Sequence, residues 1–249
     1  MSNNFGLIAA NTSRTRAYLA ALERHEILPA WTLVLDDESE EPKLGQAERN
    51  QASRVISSEP DGCWSEVNFD PTAPLLPWLD RLGISYTLAD SRDIHAPEVM
   101  DLISISSPSV LIYSGYGGVL LRRKVLELGK RFLHVHGGYL PDFKGSTTNY
   151  YSLLEEGSLG ASAIFLTEEI DCGPILARRK FPAPEGGCKE IDHVYDAAAR
   201  ARVLVDTLMA YQKCGQWSGE LPCNQGGKVY YVIHPILKHL AILGGPGKT

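Results

Sequence analysis

His134 and His136 stand on either side of Val135 in the run Leu133-His134-Val135-His136-Gly137-Gly138. A strand alternates its faces residue by residue, so this spacing predicts two imidazoles on one face, about 6–7 Å apart along the backbone. Asp171 follows in a second glycine- and proline-bordered stretch, Ile170-Asp171-Cys172-Gly173-Pro174. Imidazole, with an ordinary pKa of about 6.5, moves a proton near neutrality. A carboxylate beside it holds its tautomer and favours the protonated form. A second imidazole N–H can donate to an oxygen that is gaining negative charge. These parts suit acyl transfer without a covalent nucleophile, because nothing in the spacing around Cys172 activates its thiol. Two histidines and a carboxylate also suit a divalent metal with open positions. Residue types alone leave both readings standing.

The elements that must position these groups read as an alternation. Phe5 to Ala10 is an apolar strand, followed by Asn11-Thr12-Ser13 as the cap of a helix with Tyr18, Leu19 and Leu22 on one face. Trp31 to Leu35 is a second strand, and a polar region runs from Asp36 to about Ser58. A helix within Pro71–Leu82, a strand over Ile84–Leu88, a helix over Ala96–Ile103 and a buried strand over Ser109–Tyr113 come next. Gly115-Tyr116-Gly117-Gly118 makes a tight turn before a helix over Val119–Leu128, and the histidine strand follows. Such alternation predicts an α/β fold, a mostly parallel sheet with helices on both faces. Ligands then lie beyond the carboxyl ends of the strands, where both the Gly115 turn and His136 fall. The glycine run lacks the full dinucleotide fingerprint and its acidic partner.

Leu140 to Gly145 reads as a loop, and Ser146 onward as a helix carrying Tyr150, Tyr151 and Leu154. Ala161–Leu166 and Ile175–Arg178 form a hairpin around the Asp171 loop, and a long helix spans about Ile191–Tyr211. The expected division is residues 1–212 as a catalytic domain and 213–249 as a short extension, a hairpin around Tyr230–Ile233 and a helix over Ile236–Leu243. The apolar residues Tyr230, Tyr231, Ile233 and Leu237 make that extension a homodimer surface.

A net charge of −6 argues against nonspecific nucleic-acid binding. Arg122-Arg123-Lys124, the densest basic cluster, reads as a solvated helix face. Five cysteines without CxxC pairing give neither a disulfide framework nor a zinc ribbon, and a reducing cytoplasm is the expected compartment. No apolar run reaches membrane-spanning length, and the N-terminus lacks a basic start.

From about Val110 to Leu176 the chain resembles the formyltransferases that use 10-formyltetrahydrofolate. The resemblance is carried by the Tyr116-Gly117 turn after a buried strand, the His136 strand end, Leu140-Pro141 followed by Lys144-Gly145, and Ile170-Asp171-Cys172-Gly173-Pro174-Ile175-Leu176. It implies a Rossmann-like formyltransferase fold, with 10-formyltetrahydrofolate as formyl donor and no metal. By position it makes His136 and Asp171 the catalytic histidine and aspartate. His134 stands where the family has an asparagine whose amide donates to the formyl oxygen. A histidine can replace that donor only with its proton on the facing nitrogen.

By the same resemblance, Tyr116, Gly117, Leu120, Glu169 and Ile170 contact the folate. Lys144, Thr147, Thr148, Asn149 and Tyr150 face the acceptor, although they equally make a capped helix start with Tyr150 packed inside. The tail is too short for the barrel of the tRNA-formylating members, and resembles that of amino-sugar N-formyltransferases. The expected acceptor is therefore an amino sugar, nucleotide-linked or a nonulosonic-acid precursor, in surface-polysaccharide biosynthesis. A formyltetrahydrofolate hydrolase, or a formyltransferase acting on other small amines, is the alternative. A metal-dependent His/Asp enzyme stands behind both.

Overall fold

The computed structural model describes residues 4–35, 68–184, 191–217 and 226–243. The polar region after Leu35 lies outside them, as do residues 218–225 and 244–249. A seven-stranded sheet has β1 (Phe5–Ala10) near its middle, flanked by β2 (Trp31–Leu35) and β3 (Thr87–Ala89) on one side. On the other side come β4 (Val110–Ser114), β5 (Arg131–His136), β7 (Ser158–Phe165) and β8 (Ile175–Pro182). The five strands from β3 to β5 are parallel, and β7 and β8 run antiparallel at the edge.

Strand alternation sorts the core into two layers. Phe5, Leu7 and Ala9 pack on one face with Val34, Ile112, Leu133 and Val135, under α1 (Ser13–Arg24), α2 (Leu75–Arg81) and the long α6 (Asp196–Cys214). Ile8, Leu33, Leu35, Leu111 and Phe132 pack on the other, under α3 (Pro97–Ile105) and the short α4 (Arg123–Leu126). Helices therefore cover both faces of a mostly parallel sheet, the expected α/β class. No helix among the described residues is long and apolar enough to cross a membrane.

Several boundaries differ from the sequence reading. Only Arg123–Leu126 is helical within the stretch read as Val119–Leu128. Gly117 and Gly118 extend the turn that precedes it, and Gly118 takes φ +79°. The long helix opens with one π turn, Ile191–Tyr195. The stretch read as a loop contains β6 (Phe143–Gly145), and α5 (Thr148–Glu156) follows it.

Among the described residues the tail does not form a hairpin. β9 (Lys228–Tyr230) instead pairs in parallel with β6, Phe143 opposite Lys228 and Gly145 opposite Tyr230. The sequence marks the strand by its β-branched and aromatic residues, but its partner lies more than eighty positions upstream. The last helix, α7 (Pro235–Ile242), matches expectation and packs on α5. Ile233 is buried rather than on an open face, whereas Tyr231, Val232 and Ile236 are exposed.

The β6–β9 pairing requires a glycine at 145. Gly145 has φ +97°, and a Cβ there would lie 2.1 Å from the Tyr230 carbonyl oxygen. Gly145→Ala should therefore destabilise the protein by about 1–3 kcal/mol, measured as the urea midpoint. Gly117→Ala, with nothing within 4 Å of the added carbon, should leave that midpoint nearly unchanged. Equal shifts in the two variants would contradict the packing account.

Candidate functional site

β4 and β5 end side by side at one rim of the sheet, and their carboxyl ends carry the chemistry-bearing residues. Val135 turns into the α1–α6 layer, so period two sends His134 and His136 to the opposite face. His136 is buried. Its Nε2–H donates to the Phe143 carbonyl at 2.8 Å, and Nδ1 lies 3.3 Å from Asp171 Oδ1. With the Nε2 proton committed, the contact to Asp171 is attractive only when a second proton lies between ring and carboxylate. Burial lowers the pKa of His136, the Asp171 carboxylate opposes that, and Arg200 adds to the lowering. The result is a buried pair able to give or take one proton.

Asp171 is fixed from two sides. It sits in the loop between β7 and β8 at φ 52°, in the left-handed region that non-glycine residues rarely adopt. Its second oxygen, Oδ2, accepts from the Gly145 N–H at 2.8 Å. The three-residue strand β6 thus holds both partners, His136 through the Phe143 carbonyl and Asp171 through the Gly145 amide. The Gly137-Gly138 turn admits close neighbours. A Cβ on Gly138 would lie 2.6 Å from His136 Nε2, and one on Gly137 would lie 2.2 Å from Asp196 Oδ1.

His134 is partly buried and open to two cavities. Its Nδ1 lies 3.4 Å from the Tyr113 carbonyl, and its ring tilts against the Tyr113 ring with centroids 6.2 Å apart. Burial, with Arg14 and Arg200 close by, pushes its pKa well below the ordinary histidine value. Arg14, in the first turn of α1, donates from Nη2 to the Gly115 carbonyl. Its buried Nε has no hydrogen-bond partner among the described residues. Arg200 donates to Asp196 Oδ2 and to the Val135 carbonyl, each at 2.6 Å.

The larger cavity holds about 540 Å3 and is lined by His134, His136 and Asp171 together with Tyr116, Gly117, Leu120, Ile170, Thr147, Thr148, Asn149 and Tyr150. The smaller, of about 90 Å3, is lined by Glu169 and shares Leu120, Ile170, His134 and Asp171. Tyr116 donates its hydroxyl to the Leu35 carbonyl at 3.3 Å, with Arg92 over its ring at 4.1 Å. Lys144 does not line either cavity; it is buried, with Nζ 3.4 Å from Cys172 Sγ.

Three of the residues chosen for acceptor contact also hold the local structure. Thr148 donates to the Gly137 carbonyl. Asn149 donates to Asp196 Oδ1 at 2.7 Å and accepts from the Gly160 N–H at 2.8 Å. Thr147 accepts from the Ile233 N–H at 2.9 Å, which ties α5 to the tail. Among the described residues no three His, Cys, Asp or Glu side chains are grouped to hold a metal ion.

Sequence reasoning missed Arg14, Asp196, Arg200 and the tail residues Tyr231 and Val232, all of which line the large cavity. Asp196 and Arg200 carried a legible signal. They are opposite charges four apart in the alanine-rich opening of a helix whose neighbouring positions are buried. Arg14 carried none beyond its place just after the end of β1.

Comparison with known proteins agrees with this architecture. The family model described as formyl transferase matches residues 5–201. A methionyl-tRNA formyltransferase from Finegoldia magna is 30% identical over 129 residues, which cover 51% of this chain and 40% of that protein. The phosphoribosylglycinamide formyltransferase of Escherichia coli is 30% identical over 103 residues, covering 41% and 48%. The chain thus spans less than half the length of either curated relative. A Mycobacterium tuberculosis protein inferred to be a sugar N-formyltransferase superposes with a TM-score of 0.53 at 13% identity, covering 96% of this chain and 86% of that one, a likeness of fold. With most of its length matched by that family model, the chain belongs to the formyl transferase family, whose enzymes use formyltetrahydrofolate.

Proposed function

We propose that this protein transfers the formyl group of 10-formyltetrahydrofolate to the amine of an amino sugar, nucleotide-linked or a nonulosonic-acid precursor, in the making of surface polysaccharide. The observation that carries formyl transfer is the buried His136–Asp171 pair, clamped by β6 and opening on a cavity of about 540 Å3. Beside it, Leu120 and Ile170 keep 59% and 45% of their surface exposed. An apolar wall next to polar reacting groups is what a flat, partly apolar ligand such as a pterin needs. Tyr116, Gly117 and Glu169 complete the residues that would hold it. The bound donor supplies an activated formyl carbon.

The residues around that carbon divide the work. The His136–Asp171 pair holds a proton close to the reacting atoms and returns it to the leaving nitrogen. Burial strengthens each such contact by excluding water. The amino-sugar assignment is supported by the fold likeness to the mycobacterial protein and by the tail, whose Tyr231 and Val232 help line the cavity. The net charge of −6 fits a small acceptor better than tRNA. The exposed tail residues remain the surface we assign to self-association, and a cytoplasmic location suits a folate-using enzyme.

Mixing the protein with 10-formyltetrahydrofolate and a panel of amino sugars and their nucleotide conjugates should release tetrahydrofolate and add one formyl mass to an acceptor. Formate release independent of any amine would identify a hydrolase, and no folate turnover at all would sink both readings. His136→Ala and Asp171→Ala should each lower kcat by roughly a hundredfold or more while circular dichroism stays native. Near-normal rates in either variant would refute the pair's role.

The two histidines also set a pH dependence of stability. Both have folded-state pKa values below the unfolded value of about 6.5. As pH falls through about 6.5 the unfolded chain therefore takes up protons that the folded chain does not, and stability declines. The Tm should fall between pH 7.5 and 5.5, and His134→Asn should flatten that fall. An unchanged slope in the variant would show that His134 is not held neutral.

A further inference from the structure

We infer that His134 acts as a proton acceptor for the attacking amine, not as a hydrogen-bond donor to the formyl oxygen; this rests on the formyl-transfer reading above. The Tyr113 carbonyl offers only lone pairs, so a bond to it from His134 Nδ1 requires the ring proton on Nδ1. In a neutral ring Nε2 then carries a bare lone pair. No other described residue hydrogen-bonds Nε2, and His134 lines the cavity shared with His136 and Asp171.

Burial is the largest influence that keeps the ring in that state, and nearby charges add to it. Arg14 from α1 and Arg200 from α6 bring positive charge, and His136 on the same strand face competes for any further proton. Of the carboxylates near the two rings, Asp171 is engaged with His136 and the Gly145 amide and Asp196 with Arg200 and Asn149, while Glu168 and Glu169 line the smaller cavity with His134. Tyr113, on β4, is itself held as a neutral phenol, its pKa pushed up to about 12 by burial. A resting second proton on His134 would place another cation beside two guanidiniums in a partly buried position. The ring therefore meets the substrate with a lone pair, the form a base needs.

The proton balance closes between the two histidines. As the amine nitrogen bonds to the formyl carbon, the carbonyl electron pair moves to oxygen and the amine gives one proton to His134 Nε2. When the carbonyl re-forms, the bond from that carbon to the donor nitrogen breaks. Its electron pair stays on the donor nitrogen, which takes a proton from the His136–Asp171 pair. His134 then loses its proton to solvent and the pair regains one. An asparagine amide at position 134 cannot perform this step, because its nitrogen lone pair is delocalised and its oxygen is a very weak base.

Histidine-selective 15N NMR of the free protein at pH 7.5, with the His134 signals assigned by their loss in His134→Asn, reads the ring directly. The expected result is a protonated Nδ1 and a bare Nε2. In the assay, His134→Asn should lower kcat about a hundredfold with little change in the KM for the acceptor. His134→Gly should recover part of its rate with added imidazole. A protonated Nε2, or a His134→Asn rate close to that of the unaltered protein, would overturn the inference. A wild-type protein that turns over no folate would instead overturn the formyl-transfer reading, and the NMR result would stand apart from it.

Discussion

The contact on which the rest of the site depends is the pairing of His136 with Asp171, two groups brought together from strand β5 and the β7–β8 loop. Burial opposes a charge on either one, so the pair persists only where its remaining polar atoms are satisfied. Strand β6 supplies both missing partners, a carbonyl for the imidazole and an amide N–H for the carboxylate. Three residues thereby fix the separation and orientation of the pair. The strand is itself held by β9, whose approach is possible because Gly145 lacks a side chain. The tail is thus a structural part of the candidate site, although it is remote in sequence.

A second layer of constraint is electrostatic. Arg14, Arg200 and Asp196 lie behind the rim that carries the two histidines, and Asn149 ties Asp196 to the start of β7. An ion pair of this kind adds little to stability by itself, because desolvation offsets the attraction. Its effect here falls on the neighbours. Burial first, and then the two guanidiniums, disfavour a resting charge on His134, while Asp196 and Asp171 stand opposite Arg200. The glycine at 137 admits this network, since a side chain there would collide with Asp196 and Arg200.

The α/β alternation, the place of His136 at a strand's carboxyl end and the same-face histidines were legible because each follows from a local pattern. Leu133 and Val135 point one way and His134 and His136 the other, which period two alone dictates. Asp171 was legible through its glycine and proline neighbours and through the family resemblance. The clamp by β6 was not, because Phe143-Lys144-Gly145 is too short to show alternation and its partner strand lies far along the chain. The place of Lys144, and the bonds that Asn149 makes while it lines the cavity, were hidden for another reason. A polar residue in a loop reads as available for a ligand, whereas the fold turns Lys144 toward Cys172 and occupies both ends of the Asn149 amide. Residue type shows capacity for a hydrogen bond, and only the packed structure shows where that capacity is used.

His134 joins these strands of argument. In isolation its replacement of an asparagine looks conservative, one N–H donor for another. The carbonyl of Tyr113, burial and the two arginines make it otherwise, because a carbonyl draws the proton to Nδ1 while burial and the guanidiniums keep the resting ring neutral, with Nε2 bare until an amine presents a proton. The same substitution in an open site without Arg14 and Arg200 would leave the ring freer to carry both protons and to donate. The role of the residue at 134 therefore depends on its burial, on the Tyr113 carbonyl and on positions 14 and 200, and a relative with histidine at the corresponding place need not share it.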